Sequence, residues 1–276
     1  MPESSAPDHD ELPRLELLFQ AARSTPQSLP AELGTGYGSQ LDLAPDLVYA
    51  NFVTSLDGVA VVGPSSGSTI SGKSQADRMV MGLLRSCAEA ILIGAGTLSG
   101  SPGHVWTASH VYPPMSHAFA ELRRRRGLAE LPQLVVVSGS GRLPLDHPGL
   151  ALPALILTSR AGEAALQGVD RHHVVSLGDG PKLDPAKVLE AVHHEGHRSI
   201  LCEGGPQLLG SLLERDLLDE LFLTLSPLLA GRTAAAPRPG LVEGVDLLGR
   251  GRRSTPTLHT VRRAGSHLFL QYRLHG

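Results

Sequence analysis

Two apolar runs in this sequence break into glycines in the same way. Ile91-Leu92-Ile93 is followed by Gly94-Ala95-Gly96-Thr97, and Ile200-Leu201-Cys202 by Glu203-Gly204-Gly205-Pro206. Glycines at the carboxyl end of a parallel strand let a ligand approach the backbone. A helix starting beside them offers unpaired N–H groups and the positive end of its dipole. Pro206 suits a first helical position, where its missing N–H would have had no partner. Two such ends in one sheet suggest a phosphate-bearing cofactor laid across it. The first pair is not the dinucleotide fingerprint, because Ser99 stands where G-x-G-x-x-G needs its third glycine. A G-x-G alone reads equally well as a tight turn after a buried strand.

Glu203 follows three apolar strand residues directly, and a carboxylate buried there without a partner is costly. It either caps nearby backbone N–H groups or hydrogen-bonds a polar substrate ring. Asp57, in Ser55-Leu56-Asp57-Gly58, competes with a plainer role as half of an Asp-Gly turn. His193 and His197 stand four apart with His194 between them, but Gly196 interrupts the helix and no third ligand is evident, so no metal is expected. Arg123 to Arg126 read as a solvated helix face. Neither G-x-S-x-G nor G-x-x-x-x-G-K-[ST] occurs, which gives no support to an α/β-hydrolase or a P-loop enzyme.

The elements that must position these residues alternate along the chain. Strands are predicted at Val48–Val53, Ala90–Ile93, Leu134–Val137, Ala154–Leu157, His173–Ser176, Ser199–Cys202 and Asp219–Leu225. Helices are predicted at Ala76–Cys87, Met115–Leu128, Pro185–His194 and Pro206–Glu214, with loops over Gly63–Lys73 and Gly100–Pro114. Leu258–Arg262 and His267–Arg273 flank Ala264-Gly265-Ser266 as a hairpin. The pattern implies an α/β fold with a mixed, mostly parallel central sheet, helices on both faces and a C-terminal antiparallel hairpin. Residues 1–45 read as an extension packed on the main domain or partly disordered, with a short amphipathic helix at Leu12–Ala22. Residues 46–276 form one domain, since no linker divides them.

Composition narrows the class. With 24 Lys+Arg against 27 Asp+Glu the formal charge is −3, so no basic surplus is present to neutralise nucleic acid. At 41% hydrophobic and 18% charged, the 276 residues have ample core material. Two cysteines make no disulfide scaffold, and no apolar stretch approaches the ~18 residues of a membrane span. A cytoplasmic protein with a small-molecule partner is expected.

Asn51–Gly58 (NFVTSLDG), Leu84-Arg85 ahead of Ala90–Thr97 (AILIGAGT), Leu201–Leu209 (LCEGGPQLL) and Leu218–Gly231 (LDELFLTLSPLLAG) resemble the pyrimidine reductase family of riboflavin biosynthesis. The resemblance covers about residues 48–274. It implies the dihydrofolate-reductase-like fold, NADPH as cofactor, and reduction of the ribosyl group of an aminopyrimidine ribosyl phosphate to the ribityl form. By position, Val53 would lie along the nicotinamide, Ser71 would contact the cofactor, and Gly94, Gly96 and Thr97 would sit at its adenosine end. Ser138 and Ser140 would hold the 2′-phosphate, and Gly204, Gly205, Pro206, Gln207 and Leu208 the pyrophosphate. Glu203 would contact the pyrimidine, Arg85 and Thr69 the sugar phosphate, and Asn51 the substrate. Glu203 and Asp57 are the candidates for a catalytic role. Relatives of this kind tend to be homodimers.

The chain departs from the family in stated places. It has no P-C-x-x-C, and so lacks the paired H-x-E and P-C-x-x-C of the zinc deaminase domain that precedes the reductase in bifunctional bacterial enzymes. Asn51 stands where those enzymes usually have Lys, and stand-alone archaeal-type reductases are more similar there. The family's Asp-Asp-Pro is Gly100-Ser101-Pro102, and an Arg that commonly follows has no counterpart among His104–Thr107. Two alternatives follow from these departures: a dihydrofolate or pterin reductase on the same fold, and a non-catalytic nucleotide-binding homologue.

Overall fold

The computed structural model describes residues 12–22, 26–38, 40–63, 66–249 and 255–274. Residues 1–11 of the expected extension lie outside them. The N-terminal part carries β1 (Glu16–Gln20), β2 (Pro26–Gln27), α1 (Ala31–Tyr37) and β3 (Leu41–Asp42). The alternating part follows, with β4 (Val48–Thr54), α2 (Ser66–Ile70), α3 (Gln75–Cys87), β5 (Ala90–Gly94), α4 (Ala95–Gly100), α5 (Ala108–Val111), α6 (Ser116–Arg125) and β6 (Gln133–Ser138). It continues through β7 (Leu155–Thr158), α7 (Arg160–Ala165), β8 (His173–Ser176), α8 (Pro185–His194), β9 (Ile200–Cys202), α9 (Pro206–Glu214) and β10 (Glu220–Leu225). The hairpin β11 (Thr257–Ala264) and β12 (His267–Arg273) closes it.

The main sheet has the order β1-β11-β12-β10-β4-β9-β5-β6-β7-β8. From β10 to β8 every neighbouring pair is parallel, and β12, β11 and β1 add antiparallel strands on the β10 side. The central strands are apolar throughout because helices cover both their faces. One face packs against α1, α3, α5 and α6 through Leu33, Met79, Leu83, Val111 and Phe119, and the other against α8 and α9 through Val188, Val192, Leu209 and Leu212. The mixed sheet and its terminal hairpin are as the sequence pattern predicts. None of the helices among the described residues is long and apolar enough to cross a membrane.

Local signals explain α3. Ser74 caps it by accepting from the Asp77 N–H at 3.3 Å, and its apolar residues recur at helical spacing. At its other end Arg123 of α6 donates Nη1 to the carbonyls of Arg85 and Ala88, at 3.1 and 2.7 Å. Arg123 is therefore buried, not part of a solvated face, because a cation satisfies the orphan carbonyls of a helix end.

Three other expectations are corrected. The segment 12–22 contains the edge strand β1, not a helix, because its backbone groups pair with β11. Within the expected loop 63–73, Ser66–Ile70 form a helical turn packed on β4, with residues 64 and 65 outside the described set. The expected loop 100–114 contains α5, whose N–H at His110 is capped by the Thr107 hydroxyl.

Candidate active site

The carboxyl ends of β4, β9 and β5 lie side by side, with Cys202 of β9 opposite Ala50 of β4 and Leu92 of β5. After β4 and β5 the chain turns to the face carrying α3 and Leu98 of α4, whereas after β9 it turns to the opposite face carrying α9. The backbone therefore parts on both sides of Glu203, which is where an open α/β sheet leaves a ligand crevice. Glu203 is tied to β5 by its N–H, donated to the Leu92 carbonyl at 3.0 Å.

The glycines of the sequence motif line this crevice. A Cβ placed on Gly94 or Gly96 would meet nothing within 4 Å, and one on Gly205 would first meet the Thr97 hydroxyl at 3.5 Å. Both α4 and α9 begin at glycines and lack a side-chain cap; in α9 Pro206 brings no N–H and Leu208 donates its own to the Gly205 carbonyl at 3.0 Å. One strand further along, Ser138 at the end of β6 is buried with no partner for its hydroxyl, and exposed Ser140 accepts from the Arg142 N–H at 3.4 Å.

Glu203 has a partner. The Arg85 side chain reaches it from α3, with Nε 3.0 Å from Oε1 and Nη2 2.6 Å from Oε2; the side chains are 1% and 8% exposed. The other N–H groups of Arg85 go to the carbonyls of Val105 at 3.3 Å and Thr107 at 3.2 Å, and to Nε2 of His104 at 2.9 Å. A guanidinium carries five N–H donors, and all five of these are taken inside the protein. Arg85 thus ties Glu203 to the 104–107 loop in this structure. Because Arg85 donates to Nε2, His104 carries its proton on Nδ1, and burial followed by the nearby Arg85 charge lowers its pKa to about 3.

Toward β10 the crevice holds a carboxyl that sequence reasoning missed. Asp77 is buried in the first turn of α3, where the hydroxyls of Thr224 and Ser71 hydrogen-bond to it. Burial raises its pKa to about 6, against the smaller opposing effect of those hydrogen bonds and His267. Thr224 stands opposite Val53 in the sheet, and His267 donates to the Ser71 carbonyl at 3.0 Å. Asn51 is buried two residues before Val53 on the same face of β4, and Thr69 is exposed on α2. In the sequence, Ser74-Gln75-Ala76-Asp77 looks like helix capping, which hides the burial of Asp77.

Asp57 sits apart. Its carboxylate accepts from the Ser55 hydroxyl at 2.6 Å and from the N–H groups of Ala230 and Gly231 at 3.0 and 2.8 Å, which lowers its pKa to about 2. It fastens the turn after β4 to the 226–240 loop. Of the histidines considered as ligands, His193 hydrogen-bonds the His197 carbonyl through Nδ1 at 2.9 Å.

A mixed sheet with a glycine-flanked, arginine-held carboxylate at its switch point defines an α/β oxidoreductase of the dihydrofolate-reductase-like fold. More closely, the chain belongs to the RibD C-terminal domain family, whose match spans residues 46–256. Among individual proteins, it is 28% identical over 190 residues to the 2,5-diamino-6-ribosylamino-4(3H)-pyrimidinone 5′-phosphate reductase of Archaeoglobus fulgidus, covering 67% of this chain and 81% of that one. In fold it is similar to a pyrimidine reductase-like protein from Corynebacterium diphtheriae, with a TM-score of 0.65 and 22% identity, covering 84% of this chain and 92% of the other. Acinetobacter baumannii RibD shares the fold at a TM-score of 0.60 and 18% identity, over 89% of this chain and 61% of its own. The resemblance carried by the sequence motifs is borne out. A reductase of this family calls for a nicotinamide cofactor and a small-molecule pyrimidine.

Proposed function

We propose that this chain is an NADPH-dependent reductase of the riboflavin pathway. Its substrate is the 2,5-diaminopyrimidine ribosyl phosphate, whose ribosyl group it reduces to the ribityl form. The observation that carries the reading is the crevice around Glu203, flanked by two uncapped, glycine-lined helix starts on neighbouring strands. The name of the Archaeoglobus relative favours the diamino substrate over its deaminated product.

The residues fit the cofactor. The glycine-lined start of α9, formed by Gly204, Gly205, Pro206, Gln207 and Leu208 at the positive end of the helix dipole, suits a pyrophosphate, and the open space beside Gly94, Gly96 and Thr97 suits the adenosine end. The orphan hydroxyl of Ser138 and the exposed one of Ser140 suit a 2′-phosphate, the group that separates NADPH from NADH. When bound, the nicotinamide supplies a hydride.

The chain's own residues do the rest. Glu203 accepts from the amino edge of the pyrimidine, and Arg85 orients its carboxylate. Val53, Asn51, Thr69 and Ser71 form the wall between pyrimidine and nicotinamide. The reduction consumes one hydride at C1 of the ring-opened ribosyl group and one proton at the attached nitrogen. Asp77, with its pKa raised to about 6, keeps such a proton to higher pH than an ordinary carboxyl, and the Thr224 and Ser71 hydroxyls hydrogen-bond to it. Asp57 fastens the 226–240 loop to the turn after β4 and takes no part in proton transfer. The working unit is a homodimer, tested by light scattering of the purified chain.

A thermal-shift titration with NADPH and NADH in parallel tests the cofactor. At a hundredfold excess over its dissociation constant, a native-state ligand adds about 2.7 kcal/mol. NADPH is expected to raise the melting temperature well beyond NADH. No shift with either nucleotide removes the reductase reading.

A further inference from the structure

On the α3 face of the sheet, two neighbouring cross-strand rows carry polar side chains inside the protein. Asn51, Phe222, Gln271 and Thr260 stand opposite one another across β4, β10, β12 and β11, and Val53, Thr224, Phe269 and Arg262 do so beside them. The polar members are all buried, and buried polar groups need hydrogen-bond partners. Most find them. Gln271 donates to Glu220 Oε2 and to the Asp42 carbonyl, both at 2.7 Å. Thr260 donates to Gln271 at 3.3 Å and accepts from Arg262 Nη1 at 2.9 Å, and Thr224 hydrogen-bonds to Asp77. Asn51 is the exception: it is only 9% exposed, yet its side-chain amide bonds to none of the described residues.

The N-terminal segment brings a second such group. Tyr37, the last residue of α1, is 3% exposed, and its hydroxyl likewise bonds to none of the described residues. Its ring is held in place, because the Arg262 guanidinium lies 3.9 Å over it and donates Nε to the Tyr37 carbonyl at 3.1 Å. Burial, against the nearby Arg262 charge, raises the Tyr37 pKa, so the hydroxyl keeps its proton and stays a donor. Tyr37 lies outside residues 46–256, the part of the chain that matches the family.

Asn51 and Tyr37 line one cavity between the sheet and the helices α1 and α3, with Val80, Thr224, Thr260 and Arg262 also in its wall. Its volume of about 10 Å³ suits one water molecule, which settles in a protein interior where two to four polar groups converge.

We propose that this cavity is the binding site of a single structural water held between the Tyr37 hydroxyl and the Asn51 amide, and that Tyr37 is thereby a positioning residue for the substrate. The inference rests on the reading of Asn51 as part of the substrate wall. The water keeps the amide in one orientation before the substrate arrives, so that less ordering remains to be done on binding. A segment outside the family domain thus braces the substrate wall from behind.

Tyr37→Phe deletes the hydroxyl and keeps the ring under Arg262. In this variant KM for the ribosyl pyrimidine is expected to rise about tenfold, with kcat and the KM for NADPH within about twofold of the parent. A merely structural role would lower the melting temperature and leave that split absent. Tyr272→Phe, on the opposite face of β12, is the control with an unchanged KM. An unchanged KM in Tyr37→Phe overturns the proposal. A crystal structure of the full chain gives a readout without turnover: one water should lie within hydrogen-bond distance of both the Tyr37 hydroxyl and the Asn51 amide. A dry cavity, or a water that reaches only one of the two, also overturns it. If the parent reduces no ribosyl pyrimidine, the proposed function fails, and the crystal structure still decides the water site on its own.

Discussion

The Arg85–Glu203 pair joins residues 118 positions apart and is almost fully shielded from water. Removing one charge from such a pair leaves the other buried and uncompensated, which costs about 3–5 kcal/mol. Glu203→Gln is therefore expected to lose that much stability in urea unfolding and to abolish NADPH oxidation; a loss below about 1 kcal/mol would show that the pair is not sealed. Asp77 presents the opposite sign. Burial raises its pKa from 3.8 to about 6, so the folded state holds a proton that the unfolded chain has released. Its contribution to stability is full below pH 3.8 and is lost as pH rises through about 6, a difference of at most about 3 kcal/mol. Asp77→Asn should be more stable than the parent at pH 8, with the gap closing near pH 4, and should turn over more slowly. A variant equally stable across that range would contradict the burial argument. The raised pKa is one mark of a functional carboxyl kept at the expense of stability.

At the level of elements, the site depends on which glycines face open space and which are packed. Gly94 has an extended backbone at φ −90° and nothing near its missing Cβ, whereas a Cβ on Gly162 of α7 would come within 2.8 Å of the Gly141 nitrogen and 3.0 Å of the Gly139 carbonyl. Gly94→Val is expected to leave the melting temperature within about 2 °C while weakening NADPH binding tenfold or more. Gly162→Ala should instead destabilise by about 1–3 kcal/mol through overpacking. Thermal melts with and without NADPH separate the two. Equal melting losses in both variants would mean that Gly94 is structural and does not face the cofactor. The strand–helix units β5–α4 and β9–α9 supply the crevice between them, and α3 crosses above, bringing Asp77 toward β10 and Arg85 toward β9.

In the molecule as a whole, the N-terminal segment belongs to the core. Leu15, Leu33, Tyr37, Leu41 and Leu43 are buried against the face that carries α3, and the Arg262 guanidinium of β11 lies 3.9 Å over the Tyr37 ring while its Nε donates to the Tyr37 carbonyl at 3.1 Å. Asp42 pairs with His259 at 2.9 Å, and Gln271 donates to the Asp42 carbonyl at 2.7 Å. Each fully buried leucine contributes about 1.5–3 kcal/mol, against a net stability of about 5–15 kcal/mol for a domain. A chain lacking residues 1–43 is therefore expected to lose cooperative unfolding; a sharp melt near that of the full chain would show that the segment adds nothing.

What the sequence alone determined was local. The apolar periodicity of 76–87, 185–194 and 206–214, and the runs ending at Gly94 and Glu203, needed only near neighbours, so those elements and the two glycine ends were legible. The family resemblance followed from the same short stretches. Contacts between distant residues decided the rest. That Arg85 turns inward to Glu203, that Arg123 seals the end of α3, and that residues 16–20 are a strand depend on partners brought together by the sheet. So does the state of Asp77: its helix-capping spacing was visible, but the burial that raises its pKa exists only once α3 lies across β4 and β10. A charged side chain takes its role from the groups that desolvate and neutralise it, and here tertiary packing supplied them.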